Sequence, residues 1–208
     1  MKKSLPVYFV ISAVLFLSFI SFSYLVNKNL LTQIDFDTTV KLQDNISRFF
    51  DTPFSTFSLT GSFEIATLFL LLILIIFKKL KGFFVLLFFA VFHLVELFGK
   101  SFVDHPGPPF SFVRYDIFFS FPSSYVQPGS SYPSGHSGRA IFISIILGFL
   151  ISGTKLPRNL KYLAYFLIII FDFVMIVSRV YLAEHWLSDV IGGSLLGASF
   201  ALMSLVLL

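Results

Sequence analysis

Three short polar clusters, set between long apolar runs, hold the residues of this chain that could do chemistry. One runs from Ser178 to Asp189 and contains Arg179, Glu184 and His185. His185 and Asp189 are four residues apart, so on a helix they share a face, one turn from each other. A carboxylate beside an imidazole fixes its tautomer and leaves the other ring nitrogen free to attack. The fork of donors on Arg179 fits a phosphoryl group. A second cluster, Tyr132 to Arg139, puts Pro133 and Ser134 at the expected start of a helix. Free backbone N–H groups and a positive dipole end meet an anion there, and Gly135 allows close backbone approach. His136 then stands where it can protonate a leaving oxygen. The remaining cluster offers Lys100, a point charge suited to phosphate, ahead of a Pro-rich stretch. Singly, these residues also suit plainer uses: helix caps, an interfacial His–Asp pair, cations reaching lipid headgroups. Together they describe phosphoryl transfer by a histidine nucleophile with a second histidine as acid. Positioning and charge neutralisation supply most of the catalysis, and the design implies no metal and no cofactor.

Such clusters need elements to hold them, and composition says what these are. Hydrophobic residues make up 56% of the 208 residues and charged residues 12%, with Phe at 30 copies. A soluble domain carries about 25% charged residues, so this composition belongs in a bilayer. The apolar runs are Pro6–Val26, Ser62–Phe77, Gly82–Phe98, Ser137–Ser152, Leu160–Val177 and Asp189–Leu208. A hydrocarbon core of about 30 Å takes about 20 helical residues. The runs predict an all-α polytopic membrane protein: a single domain, residues 1–208, folded as a six-transmembrane-helix bundle. The second run reaches the required length only by extension into Phe57–Gly61. Lys2 and Lys3 ahead of an apolar stretch resemble a signal peptide. The stretch is long and no small-residue cleavage site follows, so an uncleaved first helix is expected.

Lys2, Lys3, Lys78, Lys79, Lys81, Lys155, Arg158 and Lys161 all fall on one side of this arrangement, in short segments without acidic residues. The positive-inside rule makes that side cytoplasmic, together with both termini. All three polar clusters then face the extracytoplasmic side. Basic residues scattered in this way mark topology, and no nucleic-acid partner is expected. The segment Asn27–Gly61 mixes apolar and charged residues, and suits either a helix lying in the interface or an irregular outer loop.

The clusters resemble the motifs of the type 2 phosphatidic acid phosphatase superfamily. That group includes lipid phosphate phosphatases, undecaprenyl-diphosphate phosphatases and the soluble vanadium haloperoxidases. Its Ser-Arg, five residues, His, three residues, Asp motif is matched by Ser178, Arg179, His185 and Asp189. Its Pro-Ser-Gly-His motif is matched by Pro133, Ser134, Gly135 and His136. The resemblance spans about Ser62 to the C-terminus. It implies that His185 attacks phosphorus and forms a phosphohistidine, that Asp189 orients His185, and that His136 protonates the leaving group. Lys100, Arg179, Ser134 and Gly135 would bind the phosphate oxygens. The family's Lys, six residues, Arg-Pro motif is incomplete: Gly107-Pro108 stands at the Arg-Pro spacing from Lys100, with His105-Pro106 two residues earlier. His105, Arg114 and Arg139 are therefore further candidates for holding phosphate, and Arg139, one turn past His136, is the preferred replacement.

The implied activity is metal-independent release of phosphate from a membrane lipid carrying a phosphomonoester or diphosphate, such as phosphatidate or undecaprenyl diphosphate, in a bacterial plasma (inner) membrane. A transferase passing the phosphohistidine group to another hydroxyl, and a catalytically weakened phospholipid-binding or transport protein, use the same residues. Acceptor-dependent product formation would mark the first, and lipid binding without turnover the second. His93, Glu96 and Asp172 interrupt apolar runs, where ionisable groups draw functional attention. Glu96 is one turn from Lys100 and placed to pair with it. Asp172 is placed to brace the site from below or to pair with His93.

Overall fold

The computed structural model describes residues 5–78, 82–117 and 130–207. Lys2, Lys3, Lys79 and Lys81 lie outside the described residues. The described residues form α1 (Leu5–Asn27), α2 (Thr32–Asn45), α3 (Asp51–Ser58), α4 (Phe63–Ile76), α5 (Gly82–Phe102), α6 (Gly135–Ser152), α7 (Arg158–Tyr181) and α8 (Leu187–Leu205). The one β-type pairing among them is an isolated antiparallel bridge between Pro106 and Ser130.

Five helices, α1, α5, α6, α7 and α8, are each long and apolar enough to cross a membrane. Their outer faces carry bare Leu, Ile, Val and Phe side chains, including Leu17, Leu94, Phe98, Ile169 and Phe173. A contiguous apolar surface of that extent belongs in lipid, not water. The second predicted span behaves differently. At 14 residues α4 rises only about 21 Å. Its proposed extension is not collinear, because Arg48–Gly61 meets Phe63–Ile76 at 56°. The break is at Ser62, whose extended backbone (ψ 156°) and side-chain cap on Ile65 N–H start a new helix. A sixth span exists only if the bent pair crosses as one unit.

The helix ends sort into two layers. The C-terminal ends of α1, α5 and α7 gather with the N-terminal ends of α4, α6 and α8, tied by bonds such as Asp104 N–H to Asn27 Oδ1, Arg139 Nε to Gly61 O and Ser134 N–H to Asp189 O. Lys78, Lys155, Arg158 and Lys161 follow or precede the opposite ends. α6 is about 27 Å long, so these cations stand a membrane thickness from the polar clusters.

α6 and α8 form the central seam. A Cβ added to Gly197 would overlap the Gly138 carbonyl, one on Gly193 the Ser134 carbonyl, and one on Gly138 the Phe92 ring. Only hydrogen side chains permit this approach, as is common where van der Waals packing, not water exclusion, joins helices in lipid. α1 closes on α8 through Ser12 Oγ donating to Ser199 O (2.8 Å). Phe92, Phe142, Ile146 and Leu196 fill the buried centre.

α2 packs Asp35 and Thr39 on the protein. Ile34 and Phe36 are 56% and 44% exposed and share the outer surface with Gln33, Asp37 and Lys41, while Asp35 is 2% exposed. An exposed surface mixing apolar and charged residues suits a helix lying at a lipid interface.

Candidate active site

The turn between α7 and α8 sets the site. α7 ends just past Arg179, and Ala183 enters the left-handed region (φ 52°), a conformation costing a non-glycine residue about 1 kcal/mol or more. The reversal lets the N–H groups of Glu184 and His185 both donate to the Arg179 carbonyl (3.2 and 3.3 Å). α8 begins after Trp186, whose backbone N–H donates to Asp189 Oδ2 at 2.8 Å. Asp189 thus caps its own helix, which fixes its carboxylate beside the preceding His185. His185 Nδ1 is 3.4 Å from Asp189 Oδ2. The Trp186 indole donates to Pro106 O (2.8 Å) and pins the turn to the Pro-rich stretch.

The segment before α6 docks against this turn. Ser134 N–H donates to Asp189 O (2.9 Å), and Ser137 Oγ to Val190 O (3.3 Å). Tyr132 is wholly buried, hydrogen-bonded to Ser23 Oγ (2.8 Å) and stacked on Phe19. Gly135 has no room for a side chain: a Cβ would overlap the Glu96 carboxylate and come within 2.7 Å of Arg139 Nη1. His136 follows in the first turn of α6, beside Gly61, and makes no hydrogen bond among the described residues. It lies within electrostatic reach of Arg179, Arg139, His185 and Lys100.

Unsatisfied donors concentrate here. Arg179 is 3% exposed and pairs through Nη2 with Glu184, yet its Nε and Nη1 are buried with no hydrogen-bond partner. Ser134 Oγ is likewise buried and unpartnered. Buried donors are nearly always satisfied, and an orphaned group costs about 1–3 kcal/mol, so several such groups around one site suit an anion that completes them. Among the described residues Lys100 makes one hydrogen bond, a long one to Ser131 O (3.5 Å), and it lies within reach of the Glu96, Asp189 and Arg179 charges.

Burial pushes the His185 imidazole down to about 4; the Asp189 carboxylate pulls the other way, and Lys100 and Arg179 add to the depression. His185 is therefore neutral at pH 7, the form a nucleophile requires. With Nδ1 turned to Asp189, Nε2 is the nitrogen left for attack.

The structure brings together His185, Asp189, His136, Arg179, Lys100, Ser134 and Gly135, and gives the three further phosphate-binding candidates direct partners of their own. His105 turns both ring nitrogens to carboxylates: Nδ1 is 2.8 Å from Asp189 Oδ1 and Nε2 is 3.7 Å from Asp35 Oδ2. Arg114 lies over the Tyr181 ring (5.1 Å) and donates to its hydroxyl, which in turn donates to Asp51. Arg139 lies beside the site but commits Nε to Gly61 O (2.7 Å) and Nη1 to Glu96 (3.1 Å). Glu96 makes its direct contacts with Arg139 and with His93 (3.1 Å), while Lys100 stands within electrostatic reach of it. Asp172 accepts from Ser144 (2.7 Å), not from His93. Asp35 and Glu184, given no role by motif spacing, both touch site residues. The signal for Asp35 was a lone acid between two apolar residues that face out.

A profile of the PAP2 superfamily matches residues 81–208. Phosphatidylglycerophosphatase B of Bacillus subtilis (strain 168) is 29% identical over 121 residues, covering 58% of this chain. The match spans about half of that relative's length, 54%. The fold is similar to the crystal structure of a transmembrane PAP2 type phosphatidylglycerolphosphate phosphatase from Bacillus subtilis, with TM-score 0.75, 22% identity, and coverage of 94% of this chain and 93% of the other. It is also similar to Aquifex aeolicus LpxE, with TM-score 0.63, 21% identity, and coverage of 83% and 94%.

Proposed function

The chain belongs to the PAP2 superfamily, and we propose that it hydrolyses a lipid phosphate at the extracytoplasmic face of a bacterial inner membrane. The observation that carries this reading is the set of orphaned buried donors, Arg179 Nε and Nη1 and Ser134 Oγ, beside a neutral imidazole backed by a carboxylate. Arg179, Lys100, Ser134 Oγ and the backbone at Gly135 hold the phosphate oxygens. His185 Nε2 attacks phosphorus; the bond to the lipid oxygen breaks, and a protonated His136 delivers its proton to that oxygen. Asp189 holds the His185 Nδ1 proton and stabilises the charge that develops on the ring. Water then attacks the phosphohistidine, His136 takes its proton, and the P–N bond breaks to release phosphate. The cations neutralise the charge gathered on the equatorial oxygens.

The lipid is reached sideways. Apolar helix faces surround a polar layer at headgroup depth, so a chain can stay in the bilayer while its phosphate enters. We read the bent pair as one crossing, which makes six spans and puts both termini on the side of Lys78, Lys155, Arg158 and Lys161, the cytoplasmic side by the positive-inside rule.

The test is phosphate release in detergent with EDTA present, from phosphatidate, phosphatidylglycerophosphate and undecaprenyl diphosphate, comparing wild type with His185→Ala. Release that persists in EDTA and vanishes in His185→Ala is expected, with an acid-labile phosphoprotein recovered from wild type stopped during turnover. Equal release by wild type and His185→Ala would overturn it.

A further inference from the structure

We propose that His105 is a positioning residue of this site, gripping Asp189 on the side opposite His185 and backed by Asp35, so that one carboxylate is held between two imidazoles. The inference rests on the phosphoryl-transfer reading above and adds a third histidine that the reading does not use.

The two oxygens of Asp189 are divided. Oδ1 takes the His105 Nδ1 bond at 2.8 Å; Oδ2 takes the Trp186 N–H at 2.8 Å and faces His185 Nδ1 at 3.4 Å. His105, Asp189 and Asp35 are all buried, so no water supplies a substitute partner cheaply. Asp35 reaches in from α2. Its Oδ1 accepts from Ser188 N–H (2.8 Å) and its Oδ2 from Ser188 Oγ (2.7 Å), in the first turn of α8. The same Oδ2 is 3.7 Å from His105 Nε2. Backbone bonds at both ends fix the ring: Ser131 N–H donates to His105 O (2.9 Å), and Trp186 Nε1 to the adjoining Pro106 O. Tyr132 closes the apolar side edge-on. The row Asp35, His105, Asp189, His185 thus runs from the interfacial helix to the proposed nucleophile.

Such a row controls two things. It fixes the rotation of the Asp189 carboxylate, so that Oδ2 stays turned to His185. It also shares the carboxylate's charge. The groups facing His105 are Asp189, Asp35 and Asp104, and their negative charge outweighs burial, so its proton is held more tightly than usual. The groups facing His185 are Asp189, Lys100, Arg179 and His136. A cationic His105 draws on Asp189 and leaves His185 less basic. Without His105 the carboxylate acts on His185 alone, and more of the nucleophile is protonated at a given pH. A second-row partner of this kind is typically worth about 10- to 100-fold in activity.

The experiment compares His105→Ala and His105→Asn with wild type over a pH series. Asn places an amide N–H where Nδ1 stood. The expected result for His105→Ala is a kcat lower by about 10- to 100-fold with KM changed less than about threefold, and an acid limb of kcat/KM displaced to higher pH. His105→Asn recovers most of kcat. A second readout needs no turnover: in 15N-labelled protein, the His185 imidazole titrates at higher pH in His105→Ala than in wild type. Unchanged kcat and acid limb in His105→Ala, with His185→Ala still inactive, would overturn the inference and leave the phosphatase reading standing. So would a loss confined to KM, or a kcat loss without pH displacement or Asn recovery. A wild type that releases no phosphate but shows the displaced His185 titration would instead support the coupling and sink the phosphatase reading.

Discussion

Replacing Gly193 by alanine adds one methyl group in the middle of the α6–α8 seam, away from any reacting atom. That methyl would overlap the Ser134 carbonyl oxygen, lie 2.7 Å from Ser137 Oγ and 3.0 Å from Ser134 C. None of these atoms is the free end of a flexible chain: Ser134 is backbone, and Ser137 Oγ is tied to Ser134 O and Val190 O. Relief must come from moving Ser134–Gly135 away from α8 by an amount on the order of 1 Å, and a misplacement of that size costs about 100-fold in rate. The moving segment carries His136 and the Ser134 hydroxyl, while His185 and Asp189 stay with α8. Overpacking of this kind also costs about 1–3 kcal/mol of stability. Gly148→Ala is the control, because nothing lies within 4 Å of its added Cβ. The assay is kcat for phosphate release in detergent, with thermal unfolding measured alongside. We expect Gly193→Ala to lose about 100-fold in kcat while remaining folded, and Gly148→Ala to stay near wild type. A Gly193→Ala enzyme with wild-type kcat would refute the idea that the seam sets the spacing of the two histidines.

Ser134→Ala removes a buried hydroxyl that has no partner, so thermal stability should hold or rise by about 1 kcal/mol while substrate turnover falls; a parallel loss of both would show the hydroxyl to be structural. Arg139→Ala leaves the Glu96 carboxylate buried without its cation and should lower stability by about 3–5 kcal/mol, read as a fall in unfolding temperature; a rise in KM at unchanged stability would return Arg139 to the phosphate-binding set. The acid limb of kcat/KM should follow His185, whose attacking form is neutral above about 4 and is lost as pH falls through that value. A limb centred near 6.5 in wild type would mean that the ring is solvated in the free enzyme.

The five long helices were legible because apolar runs of adequate length have one solution in a bilayer. The candidate histidines, Asp189, Arg179 and Ser134 were legible from motif spacing, but His185 lies in the turn before α8 and not on the helix face that spacing predicts it shares with Asp189; the cap that Asp189 makes on Trp186 N–H keeps the two side by side. Less local features were hidden. Phe57–Gly61 reads as an extension of the second run, but the break at Ser62 depends on backbone torsion and a cap. Asp35 could be assigned a partner only once α2 was folded against α8, more than 150 positions on; its Ser188 bonds span 153 residues. Arg139 was legible as a charge near His136, but not as the counter-ion of Glu96, because α5 and α6 meet only through the bundle.

The hydrogen bond from Ser23 on α1 to the Tyr132 hydroxyl has a consequence for the order in which the molecule is made. α1 is made well before α8, yet its Ser12 and Ser23 find their partners on α8 and on the segment ahead of α6. His185 and Asp189 also emerge late, with α8. A nascent chain halted before α8 carries His136 and Lys100 but neither the nucleophile nor the wall that α1 leans on. Competence for chemistry therefore arrives only once α8 is in place, and a chain that lacks it cannot act on the lipids around it.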